Sequence, residues 1–276
     1  RWGRGGGVAL RYHEAGPGGS DAPVLVMLHG GGPGASAWAA FGGVVEGFAA
    51  RFRTLLVDLP GFGRSDKPEL DKDVFSFGAD AVAGLLDELG IAKAHFAGVS
   101  LGGGVCVRMA LDHPDKVDRL LLTAPAGLSL NLFTAEPTEG VKRLIELSVA
   151  PEPTREHVRA FLISLVQDPA LVTDALVEER YAQALDPGAR LGAQRLGAAF
   201  AKWPEGARLW REAHRITRPT LLTWGREDRV NPVDGAFVAL KAMPDARLHV
   251  FPRCGHLAYV EREAEFLRLA VDFLEG

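Results

Sequence analysis

The sequence predicts an α/β protein: a mostly parallel central sheet flanked by helices, with an inserted all-helical segment. Three observations predict it. Short continuous apolar runs recur along the chain, as strands buried on both faces require. Amphipathic helical patterns separate most of them, as right-handed crossovers between parallel strands require. Between Asn131 and His214 the strand pattern stops and only helical periodicity continues.

Each element follows in order. Val8 to Glu14 alternates as an opening strand, and Gly16-Pro17-Gly18-Gly19 turns it. Val24 to Leu28 is a buried strand that runs into His29-Gly30-Gly31-Gly32-Pro33-Gly34. Trp38 to Ala50 reads as a helix and Thr54 to Val57 as the next strand. Asp58 to Asp66 is a loop of turn residues whose charges are expected to pair locally. Val74 to Leu89 puts Val82, Leu85, Leu86 and Leu89 on one helical face, with Gly90 as its cap. The apolar run ending at Val99 and the helical run Val105 to Leu111 flank a glycine-rich turn, and Pro114 stops that helix. Leu120 to Leu122 is another buried strand. In the insertion, Val141, Leu144 and Ile145 share a face, as do Val158, Phe161, Leu162, Leu165 and Val166, with Thr154 as N-cap. Asp168-Pro169 and Asp186-Pro187 divide it. Strands Thr220 to Trp224 and Leu248 to Phe251, and helices Pro232 to Met243 and Glu261 to Leu274, complete the pattern. The expected division is a core of residues 1–130 and 215–276, with residues 131–214 as a lid over the strand ends.

Bulk properties narrow the function. The chain has 276 residues, enough for one α/β domain with an insertion. Its net charge is −4 with no basic block, which argues against a nucleic-acid partner. No apolar run approaches the ~18 residues of a spanning helix, so no membrane partner is expected. Two cysteines, Cys106 and Cys254, read as small core residues in reducing cytoplasm rather than a disulfide framework. The N-terminus lacks the apolar core of a secretory leader and, without an initiator Met, reads as trimmed. No His/Cys/Asp cluster has metal-ligand spacing.

The chemistry centres on Gly98-Val99-Ser100-Leu101-Gly102. A serine between a strand and a helix in that motif stands on a nucleophile elbow. Gly98 and Gly102 carry no Cβ, so strand and helix backbones can approach while the turn strains the serine. The hydroxyl is aimed at the N-terminus of the helix, whose spare N–H groups suit an oxyanion. Leu101 N–H is one expected donor. The loop His29 to Gly34, at the end of a buried strand, stands where an α/β-hydrolase supplies the second donor, expected here from Gly31, with Gly30 and Gly32 letting a ligand come close. His29 is expected to be structural, its ring pinning that loop. A serine hydroxyl needs a base, and the base needs an orienting acid. Asp228 follows one strand at the same sheet edge and His256 another, and the order Ser, Asp, His is that of an α/β-hydrolase. Glu227 is the competing acid. His13, His95, His113, His157, His214 and His249 read as surface or satisfied histidines.

The chain also resembles one family. His29-Gly30-Gly31-Gly32-Pro33-Gly34-Ala35, the Ser100 elbow, Trp224-Gly225-Arg226-Glu227-Asp228-Arg229 and Leu248-His249-Val250-Phe251 with Cys254-Gly255-His256 resemble the meta-cleavage-product hydrolases. Gly127 to Phe133 and Pro137 to Leu144 look closest to the steroid-degrading branch. The resemblance implies cleavage of a carbon–carbon bond in a 2-hydroxy-6-oxo-dienoate, without metal or organic cofactor, by a homodimer or larger assembly. Arg180 matches the family's arginine for the substrate carboxylate, and Trp38, Leu257, Gly30 and Gly32 complete the expected substrate contacts. Three positions depart from the family pattern: Val99 and Ala40 replace asparagines and Leu257 replaces a tryptophan. Each makes the site less polar, so a carboxylesterase of apolar esters is the alternative reading. A non-catalytic binding protein is a third, disfavoured by three intact triad side chains.

Overall fold

The computed structural model describes residues 1–18, 22–128 and 130–276. Gly19 of the expected first turn and Ser129 of the Gly127 to Phe133 stretch lie outside the described residues. The chain opens with strands β1 (Trp2–Gly5), β2 (Val8–Ala15) and β3 (Val24–Leu28), then helices α1 (Ala37–Phe41) and α2 (Val45–Ala49). Strand β4 (Arg53–Val57), helix α3 (Val74–Glu88), strand β5 (Ala94–Val99), helix α4 (Leu101–Asp112) and strand β6 (Val117–Thr123) follow. Four helices come next: α5 (Glu139–Val149), α6 (Arg155–Leu165), α7 (Asp174–Leu185) and α8 (Pro187–Lys202). Strand β7 (Thr220–Gly225), helix α9 (Ala236–Ala242), strand β8 (Ala246–Phe251) and helices α10 (Ala258–Glu261) and α11 (Glu263–Glu275) close the chain.

The eight strands lie in the order β1-β2-β4-β3-β5-β6-β7-β8, antiparallel across β1, β2 and β4 and parallel from β4 to β8. The continuous apolar runs sort onto two faces with the period-2 alternation of a pleated strand. Val26, Leu28, Leu55, Val57, Phe96, Leu120, Leu122 and Leu222 face one layer with α3 and α4. Leu25, Met27, Leu56, Ala97, Val99, Leu121 and Leu221 face the other with α1, α2 and α11. The four helices between β6 and β7 have their own small core, including Leu147, Val158, Phe161, Val166, Val172 and Val177. Side chains cap all four: Thr138, Thr154, Thr173 and Asp186 each accept a hydrogen bond from the first turn.

Local readings differ in four places. The N-terminal glycines form β1, because Gly5 packs where a Cβ would lie 1.8 Å from the Ala81 carbonyl oxygen on α3. Glycine hid a strand that needs the close approach. The single helix expected over Trp38 to Ala50 is two short ones, interrupted at Gly42-Gly43, where glycine weakens helix. The closing helix starts two residues later than expected, at Glu263, after the one-turn α10. Pro232 to Met243 starts as a 3₁₀ turn before α9.

Candidate active site

The elbow is strained as its sequence predicts. Ser100 has φ 51° and ψ −118°, outside the comfortable region for an L residue. The strain persists because glycines let the backbones meet. A Cβ on Gly98 would lie 2.6 Å from the Gly102 carbonyl oxygen. A Cβ on Gly102 would lie 2.1 Å from the carbonyl oxygen of Leu28, at the end of β3. Gly102 therefore serves the contact with the neighbouring strand as well as the turn.

His29 is the pin of the glycine loop. It is fully buried; its Nδ1–H donates to Gly30 O at 2.7 Å and its Nε2 accepts Leu59 N–H at 3.1 Å. Burial holds its pKa below the ordinary imidazole range, with Asp58 pulling the other way and the Arg180 cation adding to the lowering. The charges of the Asp58 to Asp66 loop do not pair with one another as expected. Asp58 accepts the N–H groups of Ala37 and Arg64, and Asp66 accepts that of Ala9. A buried carboxylate is satisfied best by several fixed amide donors.

Gly31 and Leu101 are neighbours: a Cβ on Gly31 would touch the Leu101 side chain at 3.4 Å. Neither backbone N–H makes a hydrogen bond among the described residues. Two free donors thus flank the elbow. Gly32, at φ 120°, lies under Phe161 and Leu144 of the insertion.

Asp228 and His256 stand in the loops after β7 and β8. The Nδ1–H of His256 donates to Asp228 Oδ2 at 2.7 Å, with side-chain exposures of 3% and 0%. Asp228 Oδ1 accepts the N–H groups of Val230 and Asn231 at 2.8 and 3.0 Å. Three donors hold this buried carboxylate in one orientation. Glu227, the competing acid, takes Cys254 N–H and Arg226 instead. Ser100 is tied to the same edge through its backbone, donating to Thr123 O at 3.0 Å, while Asn231 Nδ2 donates to the adjoining Ala124 O at 2.7 Å. No hydrogen bond joins Ser100 Oγ to His256 among the described residues. Such catalytic bonds commonly tighten only when substrate is bound.

Arg180, on α7, is half-buried. Its Nη1 donates to Gln183 Oε1 and its Nη2 to Ala39 O, both at 3.3 Å, and its buried Nε–H has no partner among the described residues. Trp38 is 55% exposed, with its ring 5.1 Å from that of His13. Leu257 packs against both the insertion core and the sheet's second layer. Two residues had no role in the sequence reading beyond being motif text or a helix start. Arg229 and Glu261 reach backbone groups of the insertion. Local spacing carries no signal for such contacts, which join segments far apart in the chain.

Among the described residues, no group of three or more His, Cys, Asp or Glu is placed to hold a metal ion, and no helix is long and apolar enough to cross a membrane. A family described as alpha/beta hydrolase fold matches residues 23–263. The chain belongs to that family, and within it to the meta-cleavage-product hydrolases. It is 38% identical over 96% of its length to a 2-hydroxy-6-oxononadienedioate/2-hydroxy-6-oxononatrienedioate hydrolase of Comamonas testosteroni, covering 91% of that protein. It is 39% identical, with the same coverages, to a 2-hydroxy-6-oxo-6-phenylhexa-2,4-dienoate hydrolase of Burkholderia cepacia. A solved meta-cleavage product hydrolase from Pseudomonas fluorescens IP01 superposes with a TM-score of 0.87 at 30% identity, covering 100% of this chain and 97% of that one. These names carry no support for the steroid-degrading branch.

Proposed function

We propose that this chain is a serine-dependent hydrolase that cleaves the C5–C6 bond of a 2-hydroxy-6-oxo-dienoate. The observation that carries it is the sealed Asp228–His256 pair, at the same sheet edge as a strained Ser100. The names of the relatives supply the substrate class. His256 first moves the enol proton to carbon, giving the keto tautomer in which the C5–C6 bond can leave. Ser100 then adds to the 6-oxo carbon, passing its proton to His256, while Asp228 stabilises the imidazolium. The oxyanion is met by Gly31 and Leu101 N–H. Collapse expels the hydroxypentadienoate, which takes the proton back, and water releases the acid from Ser100.

Arg180 is the proposed carboxylate partner, because a buried, unpaired Nε–H is costly until an anion accepts from it. Leu144 and Phe161 over Gly32 favour an aryl or alkyl group at the other end over a second carboxylate. Helices α5–α8 act as a lid over this site, and the division at residues 131–214 is part of the proposal. Cytoplasmic location and a homodimeric or larger assembly are proposed with it, the latter checked by light scattering.

The apolar residues Val99, Ala40 and Leu257 favour a second reading, a carboxylesterase on the same machinery. The two are separated by following bleaching of a yellow phenyl-substituted dienoate beside hydrolysis of p-nitrophenyl acetate. The C–C reading expects the dienoate to be the better substrate by kcat/KM. Ester cleavage with no bleaching would replace it with the second.

A further inference from the structure

The C-terminal end of α6 is fastened to the loops that carry the acid and the base. His256 N–H donates directly to Leu165 O at 2.8 Å. Glu261 spans the two segments: Oε1 accepts Gly255 N–H at 2.7 Å, and Oε2 accepts Gln167 N–H at 2.7 Å and Asp168 N–H at 3.3 Å. On the acid side, the Arg229 guanidinium donates to Val166 O at 2.8 Å and also to Ile163 O. The same guanidinium lies 3.5 Å from Glu139 on α5, and the Arg229 carbonyl accepts Gly140 N–H at 2.9 Å. Arg229 follows Asp228 directly, and Gly255 precedes His256. The acid is therefore one residue from a side chain bonded to the insertion, and the base is bonded to it through its own backbone N–H.

We propose that Glu261 and Arg229 are positioning residues, a two-point clamp through which the seating of α5 and α6 sets the placement of His256 relative to Ser100. This rests on Ser100, Asp228 and His256 acting together. The groups it uses are well suited to the task. A carboxylate facing three amide donors, and a guanidinium facing helix-end carbonyls, form charge-assisted bonds that satisfy backbone groups a helix end leaves open. Cα-scale errors matter here, because proton transfer demands close hydrogen-bond geometry. The consequence is that displacement of α6 loosens the base, so the site is assembled fully only while the helical insertion is seated.

The test compares wild type, Glu261→Gln and Arg229→Lys. Gln keeps one acceptor oxygen and turns an NH₂ toward an amide that needs an acceptor, at nearly unchanged volume, so folding is preserved. A fluorophosphonate reads serine activation without reference to the natural substrate. Hydrogen exchange at Gln167, Asp168 and Gly255 reads the clamp itself. In Glu261→Gln those amides should exchange faster, Ser100 labelling should slow by about tenfold to a hundredfold, the cost of a misplacement on the order of 1 Å, and kcat should fall by a like factor with KM little changed. Arg229→Lys, which keeps the cation but not the fork, should be intermediate. Wild-type labelling in Glu261→Gln, with the amides exposed, would reduce the clamp to a purely structural contact and overturn the inference. Unchanged exchange would overturn it too. Failure of wild type to label at Ser100, with Ser100→Ala indistinguishable from it, would instead remove the serine mechanism before any clamp variant is considered.

Discussion

Ser100 and His29 show how little of a residue's role lies in its type. Both are hydrogen-bonding side chains at strand ends, yet one is strained outward and the other is sealed. Ser100 makes no capping bond despite preceding a helix. Replacing it with Ala should leave the fold intact and lower turnover by roughly three orders of magnitude, measured under single-turnover and steady-state conditions. Arg180→Ala should raise KM for a dienoate far more than for a neutral ester, read from kinetics on both, because only the former has a carboxylate to lose. His29 carries a pH dependence. Its folded pKa lies below the ordinary value of 6.5, so the unfolded chain binds the extra proton first. Its contribution to stability is complete above pH 6.5 and is lost as pH falls below it. His95, also lowered by burial, acts in the same direction. Melting between pH 7.5 and 5.5 should therefore show a fall, smaller in His29→Gln. The strained turn at Ser100 and the placing of Asp228 and His256 in loops after neighbouring strands were legible in the sequence, because motif context and strand pattern restrict them. The choice of Asp228 over Glu227 was settled by geometry, since only one of two adjacent acids can face the imidazole.

At the scale of elements, continuous apolar runs located the inner parallel strands, because a strand buried on both faces must be apolar throughout; the edge strand β8, only partly buried, was located by Leu248 to Phe251 alone. It failed where glycine replaced the pattern, as in β1, and where glycine interrupts a helix, as at Gly42-Gly43. Caps were more legible: Thr154 accepts His157 N–H while the His157 ring accepts Thr154 N–H, a capping box at the head of α6. Thr154→Ala should cost about 1 kcal/mol, seen as a lower denaturation midpoint. Gly102→Ala is a harsher change. Its methyl would meet the Leu28 carbonyl at 2.1 Å, and forcing the backbones apart should cost at least ~1–3 kcal/mol. Because the same shift moves Ser100, loss of activity should exceed loss of stability, compared by kinetics and melting on one sample.

Across the whole molecule, the two layers on the sheet bury both cysteines completely. Burial pushes the Cys254 thiol up to about 12, helped by Glu261 and Asp228 nearby, and raises Cys106 as well. A thiol-reactive disulfide reagent should label neither within minutes in the native protein and both after unfolding in guanidinium, followed by absorbance. Rapid labelling of the native chain would show that the layers open readily. The sequence by itself determined the sheet, the turn that carries Ser100, and the helical nature of the segment between β6 and β7. Those properties depend on local patterns of polarity and on turn chemistry, which neighbouring residues encode. Only the tertiary structure decided which acid meets His256, that the Arg180 Nε–H has no partner among the described residues, and that Arg229 and Glu261 tie the insertion to the loops of Asp228 and His256. Such contacts join residues 28 to 94 positions apart, and their energy depends on distance and burial in the folded state, to which no local pattern is sensitive.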